Sequence, residues 1–336
     1  MSRITIPQSA RSTKKRTSQP AKRGCATKTV YKVTNWHDYN NALVERGSLH
    51  VWISEEVFEA WYAEKDEGVG APKRYSDTCI QTCLTLKALY TRKFRQTEGL
   101  VRSILRMLGR PEDVPDFSTL SRRSGSCNVS IRVRDVGDHI ELYPDSTGIK
   151  VSGEGEWKVR KHKADKRRRW VKMHLGVTPH SDIVSVEVTD NETHDCEVME
   201  QLLEVGDTAI TALGADGAYD TAKIYDLLQQ NGIQDIRIPP QKNAKIWRHG
   251  NLNDPPHPRD QNLRAIRKST KRAWKRACGY HKRSISETSM FRFKITFGDK
   301  SSARTLANQT TEVRIKVRAL NIMNTLGMPI PEKVTR

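Results

Sequence analysis

The sequence predicts a mixed α/β fold, with helices packed on a five-stranded sheet and a helical region ahead of it. Three observations carry this reading. Apolar side chains recur at helical spacing between residues 35 and 125, and from residue 138 short β-branched and apolar runs replace them. From about residue 190 helical and extended segments alternate, which is the order of helices layered on a sheet.

Residues 1–30 hold eight Lys/Arg, no acid and few large apolar groups, and are expected to form a disordered basic arm. Residues 31–135 are expected to form a helical N-terminal domain. Ser54, with two acids behind it, has the makings of an N-cap for a helix carrying Val57, Phe58, Trp61 and Tyr62. Ile80, Cys83, Leu84, Leu86 and Leu89 mark a second helix, and Leu100, Ile104, Leu105 and Leu108 a third, closed by Gly109. Residues 110–115 are rich in turn formers, and Ser118 is expected to cap a short helix bearing Leu120, Arg122 and Arg123. Helix, turn and basic helix is the order of a helix-turn-helix, but it is equally the corner of any helical bundle. DNA recognition and ordinary packing both remain open for this hairpin.

Residues 136–330 are expected to form the α/β domain. Ile140, Leu142 and Tyr143 lead to Asp145; 171–177 alternates; 183–188 is apolar and β-branched. These should be three successive antiparallel strands. A helix over 196–203, a strand over 209–215 ending at Asp216, a helix over 221–230 and a strand over 233–238 stopped by Pro239 and Pro240 complete the set. A basic connection follows at about 240–280. Within it Arg264, Lys268, Lys271, Arg272 and Lys275 fall at helical spacing, so one helix should present them along a duplex while Trp274 anchors it.

The chain has 336 residues and a net charge of +19, with 36% hydrophobic and 29% charged residues. Its apolar runs fall short of the roughly 20 residues a membrane span needs, and the basic start leads into polar residues, not into the apolar core of a secretory signal. A cytoplasmic protein without a membrane partner is expected. Six scattered cysteines with no Cys-x-x-Cys pair indicate neither a zinc ribbon nor a disulfide framework; Cys79 and Cys83 are expected as buried thiols. The positive charge is concentrated in the N-terminal arm, in residues 150–172 and in residues 259–283. Stripes of this kind on a near-neutral body suit a polyanion, so nucleic acid is the expected partner. Arg167, Arg168 and Arg169 lie in the middle stripe, where Trp157 and Trp170 are open to base stacking or to packing.

The chemistry gathers around three acids. Tyr280, Arg283, Glu287 and Lys294 have helical offsets of 0, 3, 7 and 14, which at about 100° per residue fall within an arc of roughly 60°. One face would hold a carboxylate beside groups suited to phosphate. Asp145 and Asp216 are expected at strand ends, and each also stands in a good turn context, before Ser-Thr-Gly and Gly respectively. Two aspartates at one sheet edge, closed by a glutamate from a packed helix, supply the hard oxygen ligands of a two-metal phosphoryl-transfer site. Asp190 and Asp220 are expected in turn or helix-cap roles, and His174 as a core or surface residue.

The segments Asp145-Ser146-Thr147-Gly148 and Ala215-Asp216-Gly217-Ala218-Tyr219-Asp220, with the Tyr280, Arg283, Glu287, Lys294 set, resemble the DDE transposases of bacterial insertion sequences, in the branch marked by a Tyr-Arg-Glu-Lys signature. Phe94-Arg95-Gln96-Thr97-Glu98-Gly99-Leu100 and Asn35-Trp36 are similar to the insertion-sequence five type. The resemblance implies an RNase H-like core, with Asp145, Asp216 and Glu287 as the ligands of two Mg²⁺ ions, Mn²⁺ being an alternative. It implies that Tyr280, Arg283 and Lys294 contact DNA. Terminal inverted repeats and target DNA would be the partners of a dimer or larger assembly acting at the nucleoid. An RNase H-like nuclease without strand transfer and a noncatalytic DNA-binding repressor are the competing readings.

Overall fold

The computed structural model describes residues 29–64, 73–151, 170–248 and 256–335. The basic arm up to residue 28, Trp157 and Arg167 to Arg169 lie outside the described residues. Residues 38–328 form one compact unit; the other holds the two chain ends.

In the end unit, β1 (Thr29–Val33) pairs antiparallel with a C-terminal strand, Pro331–Thr335. Thr34 donates its N–H to the Ile330 carbonyl, and the Ile330 N–H reaches the Asn35 side chain.

Along the chain come helices α1 (Trp36–Glu45), α2 (Leu49–Trp52), α3 (Glu55–Glu59), α4 (Asp77–Leu89), α5 (Phe94–Met107) and α6 (Phe117–Arg123). The starts of α4, α5 and α6 are set by side chains that satisfy free N–H groups. Ser76 accepts from Cys79 N at 3.1 Å, and Gln96 accepts from Lys93 N at 3.2 Å. The cap of α6 is Asp116 and not Ser118, because the Asp116 carboxylate is placed to accept from the N–H groups of both Ser118 and Thr119 at 2.8 Å. The Ser118 hydroxyl, which donates to the same carboxylate at 2.6 Å, and these N–H groups hold its pKa well below the ordinary carboxylate range. Asp116→Ala should cost about 1 kcal/mol at neutral pH in urea unfolding, and the difference should vanish in acid once the carboxylate is protonated. Cys79 and Cys83 are buried free thiols, as expected.

The sheet then forms from β2 (His139–Val151), β3 (Trp170–Val177), β4 (Ile183–Asp190), β5 (Ala209–Gly214) and β6 (Asp235–Arg237), in the order β4-β3-β2-β5-β6. β2, β3 and β4 are successive antiparallel strands, while β5 joins β2 and β6 joins β5 in parallel. This mixed sheet is the arrangement expected of an RNase H-like core. Between β4 and β5 lies a 3₁₀ turn followed by α7 (Met199–Leu203), and between β5 and β6 lies α8 (Ala222–Gln230). β7 (Lys300–Ser301), too short to be legible in sequence, adds to the far end of β2.

The basic connection contains two helices where one was expected: α9 (Pro258–Lys268) and α10 (Lys271–Ala277). Thr270 causes the break, since its hydroxyl accepts from Ala273 N at 3.1 Å and so caps a new helix. α11 (Ser284–Phe297) and the long α12 (Leu306–Leu326) complete the compact unit. Leu86, Ile104 and Leu120 from the N-terminal helices, Met173 and Leu175 from β3, Phe293 from α11 and Leu320 from α12 share one apolar cluster. Leu142, Met199, Leu213, Tyr225 and Leu228 form a second one with α7 and α8. Among the described residues no helix is long and apolar enough to cross a membrane.

Candidate active site

Asp145 sits inside β2, not at its end. The strand continues through Ser146, Thr147 and Gly148 because β3 pairs with every one of these positions, placing Asp145 opposite Leu175. The Ser-Thr-Gly context that suggested a turn is overridden by this ladder. Asp216 follows β5 by two residues, as expected, and its carboxylate accepts from Ala218 N at 2.8 Å. The parallel pairing of β5 with β2 places Asp216 just beyond the end of the strand next to that of Asp145.

The Tyr280 to Lys294 set is split between a turn and a helix. Gly279, at φ +67°, ends α10 in a conformation that glycine accepts without strain, and Tyr280–Arg283 form a 3₁₀ turn before α11 begins. The single-helix arc therefore holds only for Glu287 and Lys294. Lys282 pins the turn by donating to both Glu141 carboxylate oxygens at 3.0 Å.

What the turn accomplishes is an ion-pair bridge. The Arg283 guanidinium donates to Asp145 Oδ2 at 3.2 Å and pairs with Glu287 one helical turn away. Lys294 donates to Thr147 Oγ1 at 2.5 Å, so both basic residues tie α11 to the strand of Asp145. Asp145 and Arg283 have side chains only 18% exposed, whereas Glu287 is 57% exposed. Burial raises the Asp145 pKa, Arg283 opposes that rise, and the Asp216 and Glu287 charges add to it. Asp145 thus feels the charges of two acids that lie far from it in sequence.

Tyr280 is buried, its ring tilted against Trp274 at 5.9 Å and capped by the Lys275 ammonium at 4.7 Å. Trp274 is buried and donates to Asn262, the anchoring role expected of it. Lys268, Lys271 and Arg272 are exposed, while Arg264 is half-buried and engaged. Arg122 is exposed; Arg123 donates to the Tyr75 carbonyl at 2.9 Å and pairs with Asp77, so its charge is spent within the protein.

Among the weaker candidates, Asp190 takes its expected turn role, accepting from the N–H groups of Glu192 and Thr193. Asp220 does not: it is buried against Arg259 at 2.7 Å and accepts from Gln241 N, fastening the basic connection to the core. His174 is a core residue bonded to Thr189 Oγ1. Trp170 packs under Lys150.

Sequence reasoning missed Glu141 altogether. It accepts from Tyr143, Arg237 and Lys282, and the ring of Tyr143 fits only because residue 214 is Gly: a Cβ there would lie 2.6 Å from the ring. An acid alternating with apolar residues on β2 reads as a solvent-facing position, so no signal marked it. Burial pushes the Glu141 pKa up, but its hydrogen bonds outweigh this and bring it down from 4.5 to about 2. The contribution is therefore complete above about pH 4.5 and lost as pH falls towards 2. Glu141→Gln should lower stability by about 2 kcal/mol at pH 7, with the gap to wild type closing in acid. Urea unfolding at pH 7 and pH 3 checks this.

Two family models match the chain, both described as a transposase DDE domain: one over residues 44–154 and one over residues 139–322, more than half of the sequence. The chain belongs to the DDE transposase family. DNA is accordingly the substrate class of this transposase, and phosphodiester chemistry its activity. The family uses divalent metal ions. The donor set fits such an ion: three carboxylates offer hard oxygen, and the Arg283 guanidinium already lies as a cation against two of them. Among the described residues, no three His, Cys, Asp or Glu side chains converge as ready-made ligands.

Proposed function

We propose that this transposase binds the terminal inverted repeats of its own insertion sequence, cleaves at the element ends and joins the freed 3′-hydroxyls to target DNA. The observation that carries the reading is the Arg283 bridge, which links Asp145 of the central strand to Glu287 of α11 beside the charge of Asp216. Asp145, Asp216 and Glu287 are the residues that would hold two Mg²⁺ ions. When bound, such ions activate a water or hydroxyl and stabilise the leaving oxygen in an in-line displacement.

The chain's own groups divide the remaining work. Burial of Asp145 beside two other acids favours any event that brings in positive charge. Arg283, once freed, is positioned to bond a backbone phosphate with its planar fork, and Lys294 adds a second positive group from α11, the helix that follows its turn. Tyr280 supports this turn from beneath, and the exposed Lys268, Lys271 and Arg272 offer further phosphate contacts. The helical region before the sheet is the proposed end-binding element, with Arg122 facing outward. The Tyr-Arg-Glu-Lys signature supports membership of that transposase branch, and holding two element ends together calls for a dimer or larger assembly.

Incubating the protein with pre-cut terminal duplexes, a supercoiled plasmid and Mg²⁺ tests the reading. Plasmid covalently joined to the duplexes is expected. Nicked plasmid without joined product would instead mark a nuclease that lacks strand transfer.

A further inference from the structure

α5 carries a basic face outside the carboxylate site. Its buried side holds Val101, Ile104 and Leu105. On the other side stand Arg95, Gly99, Arg102 and Arg106, whose offsets of 0, 4, 7 and 11 fall within an arc of roughly 60° at about 100° per residue. All four are exposed. The Arg95 guanidinium lies over the Phe117 ring at 4.4 Å, which orients it while its in-plane N–H groups keep their hydrogen-bonding capacity. Arg102 pairs with Glu98, yet its side chain remains 50% exposed. Glu98 is the one acid on α5 and is committed to the fold, since it accepts from Phe117 N at 3.0 Å.

Gly99 does not fit a purely structural face. Its backbone is ordinary helix, and a Cβ placed there would meet no atom within 4 Å. Glycine inside a helix is destabilising relative to alanine, so it needs a reason. Neither a turn, a positive φ nor a packed neighbour supplies one here. The remaining use of glycine is to let another molecule come close against the helix backbone.

The chemistry of the face selects the visitor. Three guanidiniums along about 17 Å of helix suit a regular polyanion. A helix about 10–12 Å across fits the major groove of DNA, about 12 Å wide, where arginine can bond guanine edges as well as phosphates. In a helix-turn-helix the second helix is the one that reads. Here that helix, α6, has only seven residues, and its Arg123 is spent on the Tyr75 carbonyl and on Asp77. The longer first helix presents the open face.

We propose that α5 enters the major groove of the terminal duplex, with Gly99 at the closest approach and Arg95, Arg102 and Arg106 on phosphates and base edges around it. The inference rests on the end-binding reading above and deepens it by naming the element that reads sequence.

The experiment uses the full chain and its Gly99→Leu and Arg106→Gln variants, with a terminal duplex and a scrambled duplex of equal length. Gly99→Leu puts a good helix former into open space, so it should melt about 2 °C above wild type. In fluorescence anisotropy it should bind the terminal duplex roughly tenfold more weakly and the scrambled duplex within about twofold of wild type, because only base reading seats the helix deeply. Arg106→Gln should melt like wild type, and its slope of log K against log salt should be shallower by about one unit.

Gly99→Leu that melts higher and still binds the terminal duplex as wild type does would overturn the proposal. A Gly99→Leu chain that melts well below wild type would assign the glycine to the fold and overturn it as well. Equal losses on both duplexes would put α5 against the backbone and not in the groove, again contrary to the proposal. A wild-type chain with no preference for the terminal duplex would instead bring down the end-binding reading, and the proposal with it.

Discussion

Glu287→Gln should reduce cleavage and joining by on the order of 10³-fold, the scale on which a single preorganised charged group acts in a transition state. Binding of the terminal duplex should stay within about twofold of wild type, because Glu287 is assigned to the metals and not to the DNA. The substitution keeps shape and removes charge, and the side chain is 57% exposed, so stability should hardly change. The measurement is a gel assay of cut and joined products beside an anisotropy titration of the same duplex. Normal cutting and joining by Glu287→Gln would remove Glu287 from the catalytic set.

Arg283→Gln should have opposite effects on two ligands. In the DNA-free protein Arg283 holds Asp145 and Glu287, so it competes with any cation for the same oxygens. Removing a unit positive charge a few ångströms from the site, with partial solvent screening, should tighten binding of Mn²⁺ by about tenfold. The same variant loses a phosphate contact and should bind DNA more weakly, with a salt slope shallower by about one unit. Electron paramagnetic resonance of free Mn²⁺ reads the first effect and anisotropy the second. Unchanged Mn²⁺ affinity would mean that the Arg283 ion pairs do not stand in the way of the metal. Opposed signs would make Arg283 an exchangeable counter-ion, whose departure couples metal loading to engagement of the DNA.

The parts of the fold that were legible in sequence are those governed by local periodicity. The three antiparallel strands, the helix after Thr221 and the strand leading to Asp216 all follow from spacing and turn residues. The local run Ile140, Leu142 and Tyr143 carries the strand only as far as Asp145, before a good turn sequence; pairing with β3, a long-range effect, extends the strand past it. The spacing of the basic face over residues 264–275 fits one helix, since charge spacing says nothing of the hydroxyl at Thr270 that starts a second. Spacing alone likewise sets Tyr280 and Arg283 on the helix of Glu287. The tether from Lys282 to Glu141, 141 residues away, sets them in a turn ahead of it. Ion-pair partners of this kind leave no mark in a single sequence. Neither the Arg283 bridge nor the pairing of Asp220 with Arg259 could be read from spacing alone.

The central claim is that Asp145, Asp216 and Glu287 take hold of metal during catalysis, and exchange of one ligand's chemistry tests it most directly. Asp216→Cys replaces a hard oxygen with a soft sulfur, which binds Mg²⁺ poorly and Mn²⁺ better. Joining of pre-cut ends by this variant should be lost in Mg²⁺ and recover in Mn²⁺, while wild type joins in both. Joining by Asp216→Cys at the wild-type rate in Mg²⁺ would contradict the assignment.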